Sequence, residues 1–208
     1  MHDYSIDNHP KDKILFFLAL IAITTTPLIN SLVKELLVFV GVNTGWTSIP
    51  VTVIPVFAFF GGLYWLFNKH LWRVSFLRKF LLVPDLNGKW SIDGKTSLKE
   101  GKEADYVWEG EITVTQSWSK VLIHIKTKQS SSKSVSASIH LDEGIGYKLL
   151  YQYENIPNAD ELDLLKHSGT AELLFDLDCL SANGHYYTDR HRNTVGTMKL
   201  RKVQNESS

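Results

Sequence analysis

The residues best suited to chemistry in this sequence are aromatic and polar side chains at alternate positions of predicted β-strands. The clearest run spans Tyr147–Asn155, where every second residue is in turn Tyr, Leu, Tyr, Tyr and Asn. Because successive strand residues point to opposite faces, these side chains share one face. A polar side chain that faces a core costs free energy unless it finds a partner. The run therefore indicates either a polar pocket or side chains that satisfy one another at a wet edge of the core.

Two further runs carry the same residue types. Tyr186, Thr188 and Arg190 alternate at the end of a later strand, and an earlier strand ends with Gln116 and Trp118. An Arg guanidinium offers a fork for phosphate, Tyr and Trp rings stack on nucleobases, and side-chain amides can read base edges. A pocket of this composition suits a small anionic nucleotide better than a fatty acid.

The sequence contains no recognisable arrangement for catalysis or for metal binding. Its eight histidines are scattered without metal-ligand spacing. It has no phosphate-binding Gly-rich loop, no nucleophile elbow and no helical His-Glu-x-x-His motif. We therefore expect a non-enzymatic protein with no catalytic residue, no metal site and no resident cofactor.

Charge and cysteine content argue against a protein that binds a DNA or RNA polymer and against one stabilised by intrachain disulfides. Lys plus Arg and Asp plus Glu both number 22, so the zero net charge gives no electrostatic footprint for a DNA or RNA polymer. Cys179 is the lone cysteine, which precludes an intrachain disulfide and favours a reducing compartment.

Two uncharged apolar stretches, Ile14–Val33 and Ile49–Phe67, approach the roughly 20 residues that cross a bilayer. They predict a two-helix transmembrane module over residues 1–69. Lys and Arg cluster at Lys69–Lys79, after the second stretch, so both termini are expected on the cytoplasmic side of the inner membrane. A signal peptide is the alternative for the first stretch, but its mixed flanking charge and the second stretch argue against one.

The pattern changes twice after the second stretch. Residues 70–84 are typical of a basic amphipathic juxtamembrane linker, with a helix over His70–Val83. From Pro84 the hydrophobic period is two, which predicts an all-β domain at 85–203 and then a disordered tail at 204–208. We expect Val135 to face the core. The strands are predicted at Gly88–Asp93, Asp105–Ser117, Val121–Thr127, Ser134–Leu141, Tyr147–Asn155, Gly169–Asp178, Gly184–Thr188 and Thr194–Lys202.

Short connections between successive strands imply antiparallel neighbours, and eight strands without intervening helices favour a closed barrel. The predicted fold is therefore two N-terminal transmembrane α-helices plus an antiparallel eight-stranded up-and-down β-barrel. Such a barrel is wide enough to hold one small ligand. Gly88, Trp90 and Arg201 are similar to the Gly-x-Trp and closing Arg of lipocalin-like barrels, in which the Arg packs on the Trp.

The order of motifs along the chain resembles one known family. The two apolar stretches are followed by PDLNGKW, QSWSK, LLYQYENIP, HSGTAEL and GHYYTDRHRNTVGTMKL. This set resembles the two-transmembrane, β-strand-rich effectors found beside cyclic-nucleotide synthases in bacterial CBASS anti-phage operons. The resemblance implies that a cyclic di- or oligonucleotide made by such a synthase binds the barrel. It further implies that the protein then forms a homo-oligomer whose helices disrupt the inner membrane.

The resemblance also implies a set of ligand contacts. Tyr187 belongs to it because the adjacent Tyr186–Tyr187 pair leaves open which of the two faces inward. The contacts are Trp118, Tyr151, Tyr153, Asn155, Tyr187, Thr188 and Arg190. Two alternatives stay open: a membrane-tethered, lipocalin-like carrier or sensor of a small apolar ligand, and a membrane-bound hydrolase, for which no residue set is found.

Overall fold

The computed structural model describes residues 1–7, 9–39, 53–98, 106–161, 164–190 and 192–203. The chain divides into two compact units, each described below by itself. The helical unit is His9–Leu77, and the β unit combines Met1–Asn8 with Arg78–Ser208. The two-helix module predicted over residues 1–69 therefore differs from the helical unit, because Met1–Asn8 belongs to the β unit and the helical unit extends to Leu77.

The helical unit contains α1 (Lys11–Phe39) and α2 (Val53–Lys69), which contact each other. Within α1, Lys11–Val33 is long and apolar enough to cross a membrane, with a mean hydropathy of 1.9 and only 17% of it buried. A helix with so few buried residues is not the core helix of a soluble domain. Residues 49–52 of the second predicted span lie outside the described residues.

Three threonines in α1 bond back to the helix one turn earlier. Thr24, Thr25 and Thr26 donate to carbonyl oxygens at distances of 2.9, 2.6 and 2.6 Å. These bonds satisfy the hydroxyl groups inside the helix itself, as an apolar environment requires. Pro27 follows directly within α1 and removes one backbone donor.

The predicted linker helix is shorter than expected. A 3-10 turn at Leu71–Arg73 precedes α3 (Ser75–Leu81). Val74 separates them with an extended conformation (φ −58°, ψ 129°), which ends the turn. Leu82 then adopts a positive φ of 55°, which stops α3.

The β unit is a closed ring of nine hydrogen-bonded strands in the order β1-β4-β3-β2-β9-β8-β7-β6-β5. The eight predicted strands correspond to β2–β9, whose consecutive neighbours pair antiparallel. The strands are β1 (His2–Ile6), β2 (Gly88–Leu98), β3 (Tyr106–Gln116), β4 (Lys120–Thr127), β5 (Ser130–Asp142), β6 (Gly146–Pro157), β7 (His167–Phe175), β8 (Ser181–Thr188) and β9 (Thr194–Lys202).

The eight-stranded, fully antiparallel prediction is corrected by β1. This strand lies between β4 and β5, antiparallel to the first and parallel to the second. The sequence gives little sign of it, because His2–Ile6 is one short alternating stretch ahead of a long apolar helix.

The predicted facing of β5 is wrong in its first half. Val135 is 49% exposed, whereas Ser130, Ser132 and Ser134 are buried. A bulge between Ser134 and Ser136 shifts the register against β6, so the alternation that places Ile139 in the core does not extend back through it.

We call the end of the ring where β2 ends and β3 begins the mouth, and the opposite end the floor. At the floor, Trp90 packs edge-on against Phe175 with 5.1 Å between ring centroids. The cation over Trp90 is Lys202, with its Nζ 5.1 Å from the ring centroid, and Arg201 is exposed. Lys202 takes this place because it is the register partner of Trp90 and shares its face.

Candidate functional site

The inward face of the ring changes character from floor to mouth. Near the floor it is filled by large apolar side chains such as Ile112, Leu149 and Leu173. Toward the mouth most inward positions carry hydroxyl, aromatic or amide side chains, and together with Ile125, Ala171 and Met198 they line a cavity of about 360 Å³. This volume falls in the range of small-ligand pockets. Each of β2–β9 contributes to the lining.

Three aromatic side chains form the cavity wall by lying over glycines. Trp108 lies over Gly94, Tyr153 over Gly169 and Tyr186 over Gly196, so that a Cβ on any of these glycines would overlap the ring. Each pair is directly opposed across neighbouring strands. Aromatic rings can cover opposing glycines in this way because glycine leaves the space empty. The rings therefore lie against the wall and leave the lumen open.

One hydrogen-bond network fixes two of these rings. The Tyr186 and Thr96 hydroxyl groups bond each other. The Trp108 Nε1–H donates toward both, at 3.1 Å from Thr96 Oγ1 and 3.3 Å from the Tyr186 oxygen. Since the polar side-chain atoms of Tyr186 and Trp108 are engaged in this network, these two residues present mainly ring surface to the cavity.

Two buried polar atoms of the cavity have no hydrogen-bond partner among the described residues: the Tyr151 hydroxyl oxygen and Asn155 Oδ1. The Asn155 amide is oriented by its own Nδ2, which donates to Ser130 Oγ at 3.0 Å. Burial raises the pKa of Tyr151, so this group stays protonated and can donate. An unsatisfied buried group costs about 1–3 kcal/mol, which a ligand that bonds it would recover.

A cationic side chain lies at the mouth. Arg192 Nη1 is 3.4 Å from His167 Nδ1 and 3.5 Å from Nε2, so the guanidinium contacts the ring without one well-aligned bond. His167 Nδ1 is 3.1 Å from the Leu165 carbonyl oxygen and donates to it. Burial, aided by the Arg192 charge, lowers the pKa of His167, and the imidazole is therefore neutral near pH 7. Lys128 and Glu109 also lie on this rim.

The structure brings four of the seven sequence-predicted contacts together. Tyr151, Tyr153, Asn155 and Thr188 line the cavity. Thr188 also ties β8 to β9, because its hydroxyl accepts from the Thr194 amide at 2.8 Å.

The other three predicted contacts lie elsewhere. Trp118 is buried in the β3–β4 connection at the floor, at the opposite end of β3 from Trp108. Tyr187 is 52% exposed on the outer face, since Tyr186 is the inward residue of the pair. Arg190 is exposed and is not part of the cavity lining, whereas Arg192, two residues later, is.

Several lining residues were absent from the sequence-based set. Most are the inward positions of strands next to the mouth, and extending each alternation to the end of its strand would have found them. They are Thr96, Trp108, Ile125, Thr127, Ser130, Ser132, His167, Tyr186, Arg192, Thr194 and Met198. The two serines could not be placed in this way, because the β5 bulge reverses the facing.

Fold and cavity together define a class of protein: a small-ligand receptor unit built as a closed ring of strands and joined to apolar, membrane-type helices. Comparison with known families makes this specific. Residues 81–202 match the family model described as "Cap15, cyclic dinucleotide receptor domain". Residues 12–73 match the model described as "Cap15, TM helices". The chain therefore belongs to the Cap15 family, which is associated with CBASS.

A similar protein supports the same assignment. CD-NTase-associated protein 15 of Yersinia aleksiciae is 47% identical over 161 residues, which make up 76% of each chain. The family resemblance predicted from the motif order is thereby confirmed.

Proposed function

We propose that this chain is a membrane effector of anti-phage defence whose β unit binds a cyclic dinucleotide in the mouth cavity. The observation that carries the proposal is the pairing of an aromatic wall with two unpartnered buried polar atoms, the Tyr151 hydroxyl and Asn155 Oδ1. Nucleobases have faces that stack on such rings and edges that bond such groups. An apolar ligand would leave both polar atoms unsatisfied, which disfavours the carrier alternative.

The polarity of Asn155 restricts what it can bind. Its Nδ2 already donates to Ser130, so the free Oδ1 acts as an acceptor. The ligand group that meets it must carry an N–H, as the amine and imide edges of bases do. Tyr151, with its raised pKa, supplies the complementary donor.

The phosphates of the ligand would meet Arg192 at the mouth. Its guanidinium contacts His167 and makes no ion pair with a carboxylate among the described residues. Arg presents planar paired donors that match phosphate oxygens. Arg192 thus takes the role that the sequence alone gave to Arg190.

The output of binding is assembly in the inner membrane, with both termini cytoplasmic and α1 and α2 crossing the bilayer. Ligand can drive assembly only if it binds the assembled state more tightly than the free state. Gly61 and Gly62 of α2 have open space around them, so another helix can approach closely there. The clustered helices would then breach the bilayer and arrest the infected cell. A cyclic-nucleotide synthase is the partner that supplies the ligand.

The test uses the full chain reconstituted in liposomes of bacterial lipid loaded with a fluorescent dye. We expect a cyclic dinucleotide to bind and to release the dye, with the linear dinucleotide of the same bases as the matched control. Binding is measured by calorimetry in nanodiscs and assembly by sedimentation. Absence of binding to every cyclic dinucleotide, or tighter binding of a fatty acid, would contradict the proposal.

A further inference from the structure

The strands β4 and β5 form a slot that β1 fills. They pair directly only between residues 124–126 and 131–133, next to the cavity. Toward the floor they diverge, and β1 lies between them. Two register pairs join β1 to β4, from His2 and Asp3, and three join Tyr4, Ser5 and Ile6 to β5. The ring is therefore closed at this point by only five residues.

Tyr4 is the anchor of β1 in the slot. Its side chain is 3% exposed and belongs to the ring's hydrophobic core. Its hydroxyl donates to the Ser117 carbonyl oxygen at 3.2 Å and accepts from Gln116 Nε2 at 3.1 Å. Burial raises the pKa of Tyr4 to about 12, consistent with a neutral, bonded hydroxyl.

The β5 bulge completes the slot. At the point where β4 and β5 separate, Ser134 Oγ accepts from the Ile123 amide at 2.9 Å and bonds His2 Nε2 at 2.7 Å. The serine hydroxyl thus replaces the backbone partner that β4 loses there. At the other end, His140 Nδ1 bonds the Asp7 carboxylate. The slot accordingly recognises an extended strand with His first, Tyr third and a carboxylate just after it.

Leaving this slot empty costs free energy. Without β1, the facing backbone groups of β4 and β5 lose their partners, and the core opens where Tyr4 packed. Open strand edges are templates for pairing with another chain. Any strand of the same sequence satisfies the slot, and every copy of this protein carries one.

We propose that the slot accepts β1 from a second copy of the chain, so that neighbouring copies exchange β1 when they assemble. The inference rests on the ligand-driven assembly proposed above. The five residue steps from Ile6 to Lys11, the first residue of α1, span at most roughly 18 Å. Packing of helices from neighbouring copies therefore brings their β1 strands close together and raises the local concentration of β1. Exchange from copy to copy is a heterologous contact, which extends into rings or filaments.

The test uses two full-length chains in nanodiscs large enough for several copies, both with Cys179→Ala. One chain carries Ser5→Cys and the other, of different mass through a tag, carries Ser138→Cys. These residues are register partners in the slot, within the Cα spacing that a disulfide needs. Neither chain alone can form this disulfide, so the mixed dimer on a non-reducing gel reports exchange. The two homodimers report random collision.

With a cyclic dinucleotide we expect the mixed dimer to exceed either homodimer at least fivefold. We also expect a Tyr4→Ala change in the Ser5→Cys chain to remove that excess. A mixed dimer no more abundant than the homodimers, in samples that sedimentation shows to be assembled, would overturn the exchange and leave the proposed function intact. Absence of ligand-driven sedimentation would instead contradict the proposed function.

Discussion

The indole of Trp108 lies over Gly94 on the neighbouring strand, in the space that any side chain at position 94 would need. The same relationship recurs in the pairs Tyr153–Gly169 and Tyr186–Gly196. The open lumen of the ring thus depends on glycines that are not themselves part of the cavity lining. A cavity built in this way can be narrowed without changing a single lining residue.

We expect Gly94→Ala to lower the affinity for a cyclic dinucleotide at least tenfold. The added Cβ overlaps only atoms of the Trp108 ring among its nearest neighbours, so the ring must swing into the cavity. Overpacking of this kind also costs about 1–3 kcal/mol of stability. Calorimetry and thermal unfolding in detergent micelles measure the two effects.

The control is the double variant Gly94→Ala/Trp108→Ala. The double variant should lose less stability than the sum of the losses in the two single variants, because removing the indole also removes the overlap. Strict additivity would show that the overlap is not what Gly94 prevents.

Tyr151→Phe should separate ligand affinity from stability. The Tyr151 hydroxyl is buried without a partner among the described residues, so its removal should leave the ligand-free protein as stable or stabler. Affinity should fall about 2- to 10-fold for the loss of one hydrogen bond. Tyr186→Phe is the matched variant, and it should lose about 1 kcal/mol of stability because its hydroxyl bonds Thr96. Equal stability losses in the two variants would contradict this assignment.

Arg192→Ala should weaken binding about 10- to 100-fold, as expected for a charge-assisted bond to phosphate. It should also reduce the dependence of affinity on salt concentration. Arg190→Ala is the matched control, since Arg190 is exposed and lies outside the cavity lining. If Arg190→Ala lowered the affinity more than Arg192→Ala, the phosphate site would have to lie on the outer surface. Titrations at two salt concentrations decide between these outcomes.

The melting temperature of the ligand-free protein should fall as the pH drops below about 6.5, in part because of His167. Its pKa is lowered in the folded state, mainly by burial, so the unfolded chain binds the proton more tightly. The stabilising contribution is therefore full above the unfolded pKa and is lost on acidification. His167→Asn keeps a donor for the Leu165 carbonyl but does not titrate, and its pH profile should be flatter. Parallel profiles from pH 8 to pH 5 would contradict this role.

Hydrophobic period was enough to predict most of the β unit. The alternation around Trp108 and around Tyr151 correctly separates inward from outward residues, because both strands have one buried and one wet face. The period fails in β5, where a bulge at Ser134 reverses the facing and no local residue type announces it. It also fails for β1, since five residues are too few to show a period.

The candidate site was harder to predict for a topological reason. Sequence indicates which face of a strand is inward but not which end of the ring holds the cavity. Trp108 lies near the start of β3 and Trp118 lies just beyond its end, in the β3–β4 connection, so that only Trp108 is at the mouth. Arg190 and Arg192 differ only in how the β8–β9 turn directs them, which depends on contacts such as that between Arg192 and His167.

The most direct test of the central claim is a calorimetric titration of the full chain in nanodiscs with a cyclic dinucleotide, in parallel with the Tyr151→Phe and Arg192→Ala variants. We expect saturable binding of one ligand per β unit, weakened in both variants. Binding that neither substitution alters would place the ligand outside the mouth cavity and contradict the claim.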